Sequence, residues 1–304
     1  MELKQTLDKK RFGRTRVLSN GRYDYERTRI ERYKPDFTDG IFLFNSFMSG
    51  FAGVMAFLNR PIYYDSQVYM EIKIYAKTKK GSHEINVDRA SSFASGVVYV
   101  FDSLTIDGKH RDLKMLCRKI HQAGSVILVD NTFATFLHIK PWEDGADYTL
   151  ESFTKYVTGH LDYMSGCLVL RNLNEQKFDE WCVNCGLHAS VETEHMVYIG
   201  LQTFRLRLQK IEENAAFICK FLDENKVKYF YPKIGGVIWI LVGNPYKVVE
   251  LFKTIQPSDT FGLNYSTWTI YEDKSIFLRL SVGIEDNMEK VIEDLKWLNA
   301  KKIF

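Results

Sequence analysis

Residues 96–130 read as a strand, a helix and a second strand, and that order leaves few folds open. GVVYVF (96–101) and SVILVD (125–130) are short, continuously apolar runs, the composition of strands buried on both faces. Between them HRDLKMLCRKIHQAG sets Leu113, Leu116, Cys117 and Ile120 at helical spacing, fills the last turn with basic residues and stops at Gly124. IFLF (41–44), DYTLES (147–152) and CLVL (167–170) are further strand candidates among helical stretches. The expected fold is therefore α/β, a mostly parallel sheet covered by helices. In such sheets ligands gather beyond the carboxyl ends of the strands. Asp130 and Ser152 each end a strand candidate and so lie where a ligand is expected.

Three segments follow from the texture of the chain. Residues 1–40 are polar, rich in arginine and tyrosine, and read as an N-terminal arm; residues 41–190 carry the α/β pattern. A long helix over about 192–222, with an N-cap near Ser190, opens a smaller C-terminal α+β domain spanning 191–304. There VKYFYP, GGVIWILVG and SIFLRLSVG are strand-like, and NMEKVIEDLKWLNA puts Met288, Val291, Ile292, Leu295 and Leu298 on one helical face.

Composition narrows the class. The net charge of +3 over 304 residues gives little reason to expect nucleic acid. The basic N-terminus lacks the apolar core of a secretory signal, and no run approaches the roughly 18 apolar residues of a membrane helix. Five cysteines without a disulfide-framework spacing suit a reducing compartment, so a cytoplasmic protein is expected. Cys182 and Cys185 form a single CxxC in WCVNCG. A closed zinc site needs four ligands, so no metal is expected and the pair reads as two thiols near a helix end.

ESFTKYVTGHLD (151–162) places Lys155 directly after a buried strand, behind Ser152 and Thr154. A lysine that forms a Schiff base with pyridoxal phosphate needs such company. The pyridinium nitrogen needs a carboxylate to stay protonated, which Asp130 can supply. The phosphate needs hydroxyls and backbone N–H donors, preferably at a helix start. In FNSFMSGFAGVMAFL, Ser49 and Gly50 follow an apolar strand and open a helical pattern, so the N–H groups of Gly50 and Phe51 suit a phosphate. Taken alone, SGFAG reads rather as a tight turn with close packing, and its glycines match neither GxGxxG nor the Walker pattern.

VDNTFATF, then GADYTLESFTKYVTGHLD and SGCLVL, resemble the cysteine and methionine metabolism family of pyridoxal-phosphate enzymes, which includes cystathionine γ-synthase, cystathionine β-lyase and methionine γ-lyase. RLSVGIED is a second family signature. SGFAGVMAFL, GLQTFRLRL and ENAAFICKFL resemble further family blocks in the same order, so the resemblance covers residues 20–300 or thereabouts. It implies a fold-type-I transferase-like architecture and pyridoxal 5'-phosphate as cofactor. It matches Lys155 to the Schiff-base lysine, Asp130 to the partner of the pyridine nitrogen, Thr132 to a cofactor contact beside it, and Ser152 and Thr154 to the phosphate-binding hydroxyls. Gly50 and Phe51 match the phosphate-binding backbone pair. Tyr25 and Arg27 resemble a tyrosine and an arginine that reach a neighbouring subunit's phosphate, which implies a homodimer or homotetramer. Tyr69 is the candidate for the catalytic, ring-stacking tyrosine, although its local motif suits a core tyrosine as well. Arg279 matches the arginine that holds the substrate's α-carboxylate, a planar fork suited to that group.

The departures from the family concern the surroundings of the cofactor. Family members are usually longer by many tens of residues. The stretch that commonly carries an asparagine and a proline reads FDSLTID here, with Thr105 nearest the asparagine. The glycine-rich stretch after the stacking tyrosine is replaced by Met70, Glu71 and Ile72, and the arginine before the GLKT-like motif by Ile199. The resemblance thus implies a divergent carbon–sulfur lyase or γ-synthase, acting at Cβ or Cγ of a sulfur amino acid or a related specialised amino acid. Another reaction on the same cofactor, such as transamination or non-sulfur γ-replacement, stays open, as does a non-catalytic descendant kept for binding.

Overall fold

The computed structural model describes residues 15–17, 23–25, 41–105, 108–170, 175–243, 252, 255–272 and 276–300. Near the N-terminus β1 (Thr15–Val17) and β2 (Tyr23–Tyr25) pair antiparallel. Seven strands build the main sheet: β3 (Ile41–Phe44), β4 (Ile62–Asp65), β5 (His83–Ile85), β6 (Val98–Asp102), β7 (Val126–Asp130), β8 (Tyr148–Ser152) and β9 (Gly166–Leu170). Their spatial order is β3-β9-β8-β7-β6-β4-β5. The pairs from β5 through β8 are parallel, as expected, whereas β9 runs antiparallel to both β8 and β3. The reason is the connection. The segment between β8 and β9, which carries Lys155, contains no crossover helix, and a strand that returns directly lies antiparallel to the one it left.

Alternation along the strands shows why both faces must be covered. Val98, Val100 and Leu128 pack with Phe51, Val54 and Ile72, from helices α1 (Phe47–Leu58) and α2 (Met70–Lys77). Tyr99, Phe101, Ile127 and Val129 point the other way, onto Leu113, Leu116 and Ile120 of α3 (Leu113–Gln122). Asp112 caps α3, accepting from Met115 N at 2.9 Å. A short α4 (Pro141–Asp144) precedes β8. Helix α5 (Glu175–Cys185) joins the α1 face through Phe178 and Cys182, leaving Cys182 buried and Cys185 exposed at its end.

The second sheet holds β10 (Tyr229–Phe230), β11 (Val237–Leu241), β12 (Gln256–Pro257), β13 (Thr267–Glu272) and β14 (Ile276–Ser281), in the order β10-β11-β14-β13-β12. Helix α6 (Val191–Glu224) serves both sheets. Its first half sets Val197, Phe204 and Leu208 among Val157, Val169 and Trp239. Its second half sets Ala215, Ile218 and Leu222 among Ile238, Ile240, Leu278 and Leu280, a core closed by Leu295 of α7 (Glu289–Ala300). The helix starts as the sequence implies, with the Ser190 hydroxyl accepting from Thr193 N.

Where α6 meets the Lys155 segment the approach is backbone to backbone. A Cβ on Gly200 would fall inside van der Waals distance of the Val157 carbonyl and 3.1 Å from Thr158 Cα. Two turns later Arg207 spreads its guanidinium over the carbonyls of Tyr156 (2.8 Å), Val157 and Gly200 (2.9 Å). Gly200→Ala is therefore expected to cost about 1–3 kcal/mol of stability by overpacking, read as a lower denaturant midpoint at unchanged slope.

Candidate active site

The carboxyl edge of the main sheet is a row of aspartates. β4 ends in Asp65, β6 in Asp102 and β7 in Asp130, and Asp102 and Asp130 are direct register partners. Ser152, at the end of β8, continues the row. Asp130 is buried, and its Oδ1 accepts from Thr132 N at 2.9 Å and Thr132 Oγ1 at 2.5 Å. Thr132 Oγ1 in turn accepts from Ser152 N at 2.9 Å, so one threonine ties the ends of β7 and β8 together.

Lys155 follows β8 by three residues. Its Nζ donates to Thr260 Oγ1 at 2.6 Å and lies 5.3 Å from the centroid of the Phe261 ring. Burial and the nearby Arg279 cation push the lysine below its usual range, while Asp130 and Glu71 pull it back. Arg279 comes from β14, flanked in register by Trp239 and Thr269. Its Nη2 donates to Asp259 O at 2.6 Å and Thr260 O at 3.3 Å. Segment 258–261 thus gathers the lysine and the arginine, 124 positions apart in sequence, onto one threonine. Phe261 fixes that segment, stacking flat on Phe133 with centroids 4.2 Å apart. Gly262, with φ +72°, lets the chain pass so close to Tyr156 that a Cβ would lie 2.9 Å from its backbone nitrogen.

Other expected residues fall into place unevenly. Tyr69 is 51% exposed, which removes the core-tyrosine reading. It precedes α2, meets Phe47 edge-on at 6.3 Å and donates its phenol to Glu71. Partial burial, that hydrogen bond and the Glu71 charge push the phenol up to about 12. Thr154 is buried with its hydroxyl committed to Ser165, accepting from N at 3.0 Å and facing O at 3.3 Å. The hydroxyl of Thr105 accepts from Lys109 N at 2.9 Å within its own turn.

One placement is corrected. Helix α1 opens at Phe47, not at Ser49–Gly50, because Ser46 and Ser49 form a reciprocal capping box that satisfies the first donors. The Gly50 N–H consequently lies inside the helix and donates to Ser46 O at 3.3 Å, with Phe51 following it. Tyr25 ends β2, but its side chain lies outside the described residues, as does the whole of Arg27.

Three neighbours of these residues escaped the sequence reading. Asp102 ends a strand just as Asp130 does, and the same strand-end rule would have found it. Thr260 and Phe261 lie in QPSDTFGLN, which has no periodicity to flag and meets Lys155 only through the tertiary fold. Among the described residues no group of three His, Cys, Asp or Glu side chains could hold a metal ion, and no helix is long and apolar enough to cross a membrane.

In the ligand-free protein burial, set against the Thr132 donors and the Lys155 cation, holds the Asp130 carboxyl up at about 6. Between about pH 4 and 6 the folded chain keeps a proton there that the unfolded chain has released. The Asp130 contribution therefore lowers stability as pH rises through that window. Asp130→Asn removes it, so the variant's thermal midpoint should gain on wild type from pH 4 to 6 or so, measured without cofactor.

The sequence profile of the Cys/Met metabolism PLP-dependent enzymes matches residues 53–238. A methionine gamma-lyase of Streptomyces avermitilis is 32% identical over 212 residues, 60% of this chain and 48% of that protein. A cystathionine gamma-synthase/O-acetylhomoserine (thiol)-lyase of Bacillus subtilis is 29% identical over 213 residues, 61% of this chain and 55% of that protein. The chain thus spans about half the length of these relatives. In fold it resembles a cystathionine gamma-lyase of Lactobacillus plantarum, with TM-score 0.78 at 20% identity over 94% of this chain and 90% of that one.

Proposed function

Because the chain belongs to the family of Cys/Met metabolism PLP-dependent enzymes, we propose that it is a pyridoxal-phosphate enzyme acting at Cβ or Cγ of a sulfur amino acid or a close relative. The observation that supports this reading best is the convergence of Lys155, Asp130 and Arg279 on one space. Lys155 and Asp130 act on each other electrostatically, yet the lysine donates to Thr260. A half-buried amine and a buried carboxylate arranged in this way fit a ligand with an aldehyde at one end and a basic ring nitrogen at the other.

When bound, the cofactor supplies an electron sink for negative charge at the substrate's Cα. The chain's own residues do the rest. Asp130 holds the proton on the ring nitrogen, and Thr132 keeps that carboxylate in place. Lys155 is the covalent anchor. With the cofactor in place its amine would remove the Cα proton, a task suited to a lysine lowered by burial and a neighbouring cation. Tyr69, kept protonated well above neutral pH by partial burial and by Glu71, offers a ring face and a hydrogen-bond donor, so proton abstraction falls to Lys155. Arg279 forks onto the substrate's α-carboxylate, and Thr260 sets the lysine and the arginine relative to each other. Ser152 and Thr154, with the Gly50–Phe51 backbone, are assigned to the phosphate by the family resemblance. Thr154 then has to give up its bonds to Ser165, and Gly50 its bond to Ser46.

Tyr25 and Arg27 are assigned to a neighbouring subunit's phosphate on the same basis, in a homodimer or homotetramer. The test of the reaction is product analysis by mass spectrometry, with pyridoxal phosphate added and a homoserine ester, cystathionine, methionine and cysteine supplied in turn. Keto acid, ammonia and thiol released together are expected from at least one substrate. Amino-group exchange alone would replace the reading with transamination, and inertness towards every substrate would overturn it.

A further inference from the structure

The buried carboxyl next to Asp130 has no part in the mechanism above. We propose that Asp102 is a positioning residue for Asp130: the two side chains, adjacent in register at the ends of β6 and β7, carry one negative charge between them, with the proton on Asp102. This rests on the proposed role of Asp130 and adds the residue that sets its charge.

Register partners on neighbouring parallel strands point to the same face of the sheet, so Asp102 and Asp130 stand side by side. Both are only 8% exposed. Two carboxylates crowded into a buried site do not both ionise. The proton goes to the member with less support. Asp130 has two Thr132 donors on Oδ1 and faces Lys155.

Around Asp102 the cations are already engaged. Arg111 places Nη2 on the Asp65 carboxylate at 3.0 Å and Nε towards Asp88 at 3.3 Å; its contact with Asp102 is Nη1 to the backbone carbonyl, at 3.3 Å. Asp65 itself also accepts from Gln67 N and Val87 N. Lys73, the other cation acting on Asp102, donates to Ser66 O at 2.5 Å. Burial first, then the Asp130 charge, hold the Asp102 carboxyl well above the usual range, against the pull of Arg111 and Lys73.

The consequence is a site that shows one negative charge to a protonated ring nitrogen. A second charge at that edge would have to be neutralised by taking up another proton. As a shared-proton pair the two titrate together.

The test reads the proton itself, in the cofactor-free protein at pH 7. Infrared difference spectroscopy of the carboxylic-acid carbonyl, with aspartate labelled by carbon-13, is expected to show one buried protonated aspartate in wild type. The signal should be lost in Asp102→Asn, whose amide mimics the neutral acid in shape, and kept in Asp130→Asn. Wild type without the signal, Asp102→Asn with it, or Asp130→Asn without it would each overturn the assignment. Since no cofactor is present, failure of the pyridoxal-phosphate reading leaves this outcome untouched. That reading is checked separately by the visible absorption of the same wild-type preparation after cofactor is added.

Discussion

Lys155→Ala is expected to abolish the visible absorption band of protein supplied with pyridoxal phosphate and to cut turnover by at least about 10³-fold, the range for removing a positioned proton-transfer group. The effect is large because the proposed reading gives one amine two tasks, anchoring the cofactor and abstracting a proton. It should also be irreparable from next door. Thr260, which bonds Nζ at 2.6 Å, is a neutral hydroxyl and can replace neither task. Borohydride reduction of wild type should fix the cofactor on the peptide that contains Lys155. A label on another lysine, or an unaltered band in Lys155→Ala, would defeat the assignment. Unfolding midpoints measured alongside separate loss of chemistry from loss of fold.

Arg279→Ala should raise KM for an amino-acid substrate by about 10²-fold, the equivalent of roughly 3 kcal/mol for a lost pair of charge-assisted hydrogen bonds. Arg279→Lys should recover part of it, since a point charge replaces a planar fork. The arginine also donates to Asp259 O and Thr260 O, so its removal loosens the segment that orients Lys155. A fall in kcat beside the rise in KM is therefore expected in the alanine variant, and a smaller one in the lysine variant. Unchanged KM in both would remove Arg279 from substrate binding.

Much of this architecture was legible from periodicity. The strand–helix–strand unit over 96–130 could be read because β6 and β7 are apolar throughout and α3 has one clean apolar stripe. The β4, α2 and β5 stretch could not: its strands are four and three residues long, and its helix exposes Met70 and Ile74. Such short or frayed patterns carry too few positions to separate a strand from a loop. The start of α1 is ambiguous in sequence because serines stand at both 46 and 49, and only the three-dimensional bonds show that they cap each other.

The sequence by itself determined the α/β class, the strand ends at Asp130 and Ser152, and the lysine that follows them. Those depend on local spacing: an apolar run must be buried, and the residue that ends it must lie at the rim. Only the tertiary structure decided what meets Lys155. Thr260 and Phe261 come from a loop 105 and 106 positions away, and Asp102 stands beside Asp130 because two strands 28 residues apart pair in that register. Contacts of that separation depend on how two sheets and a 34-residue helix pack together, and no local pattern in a single chain encodes them.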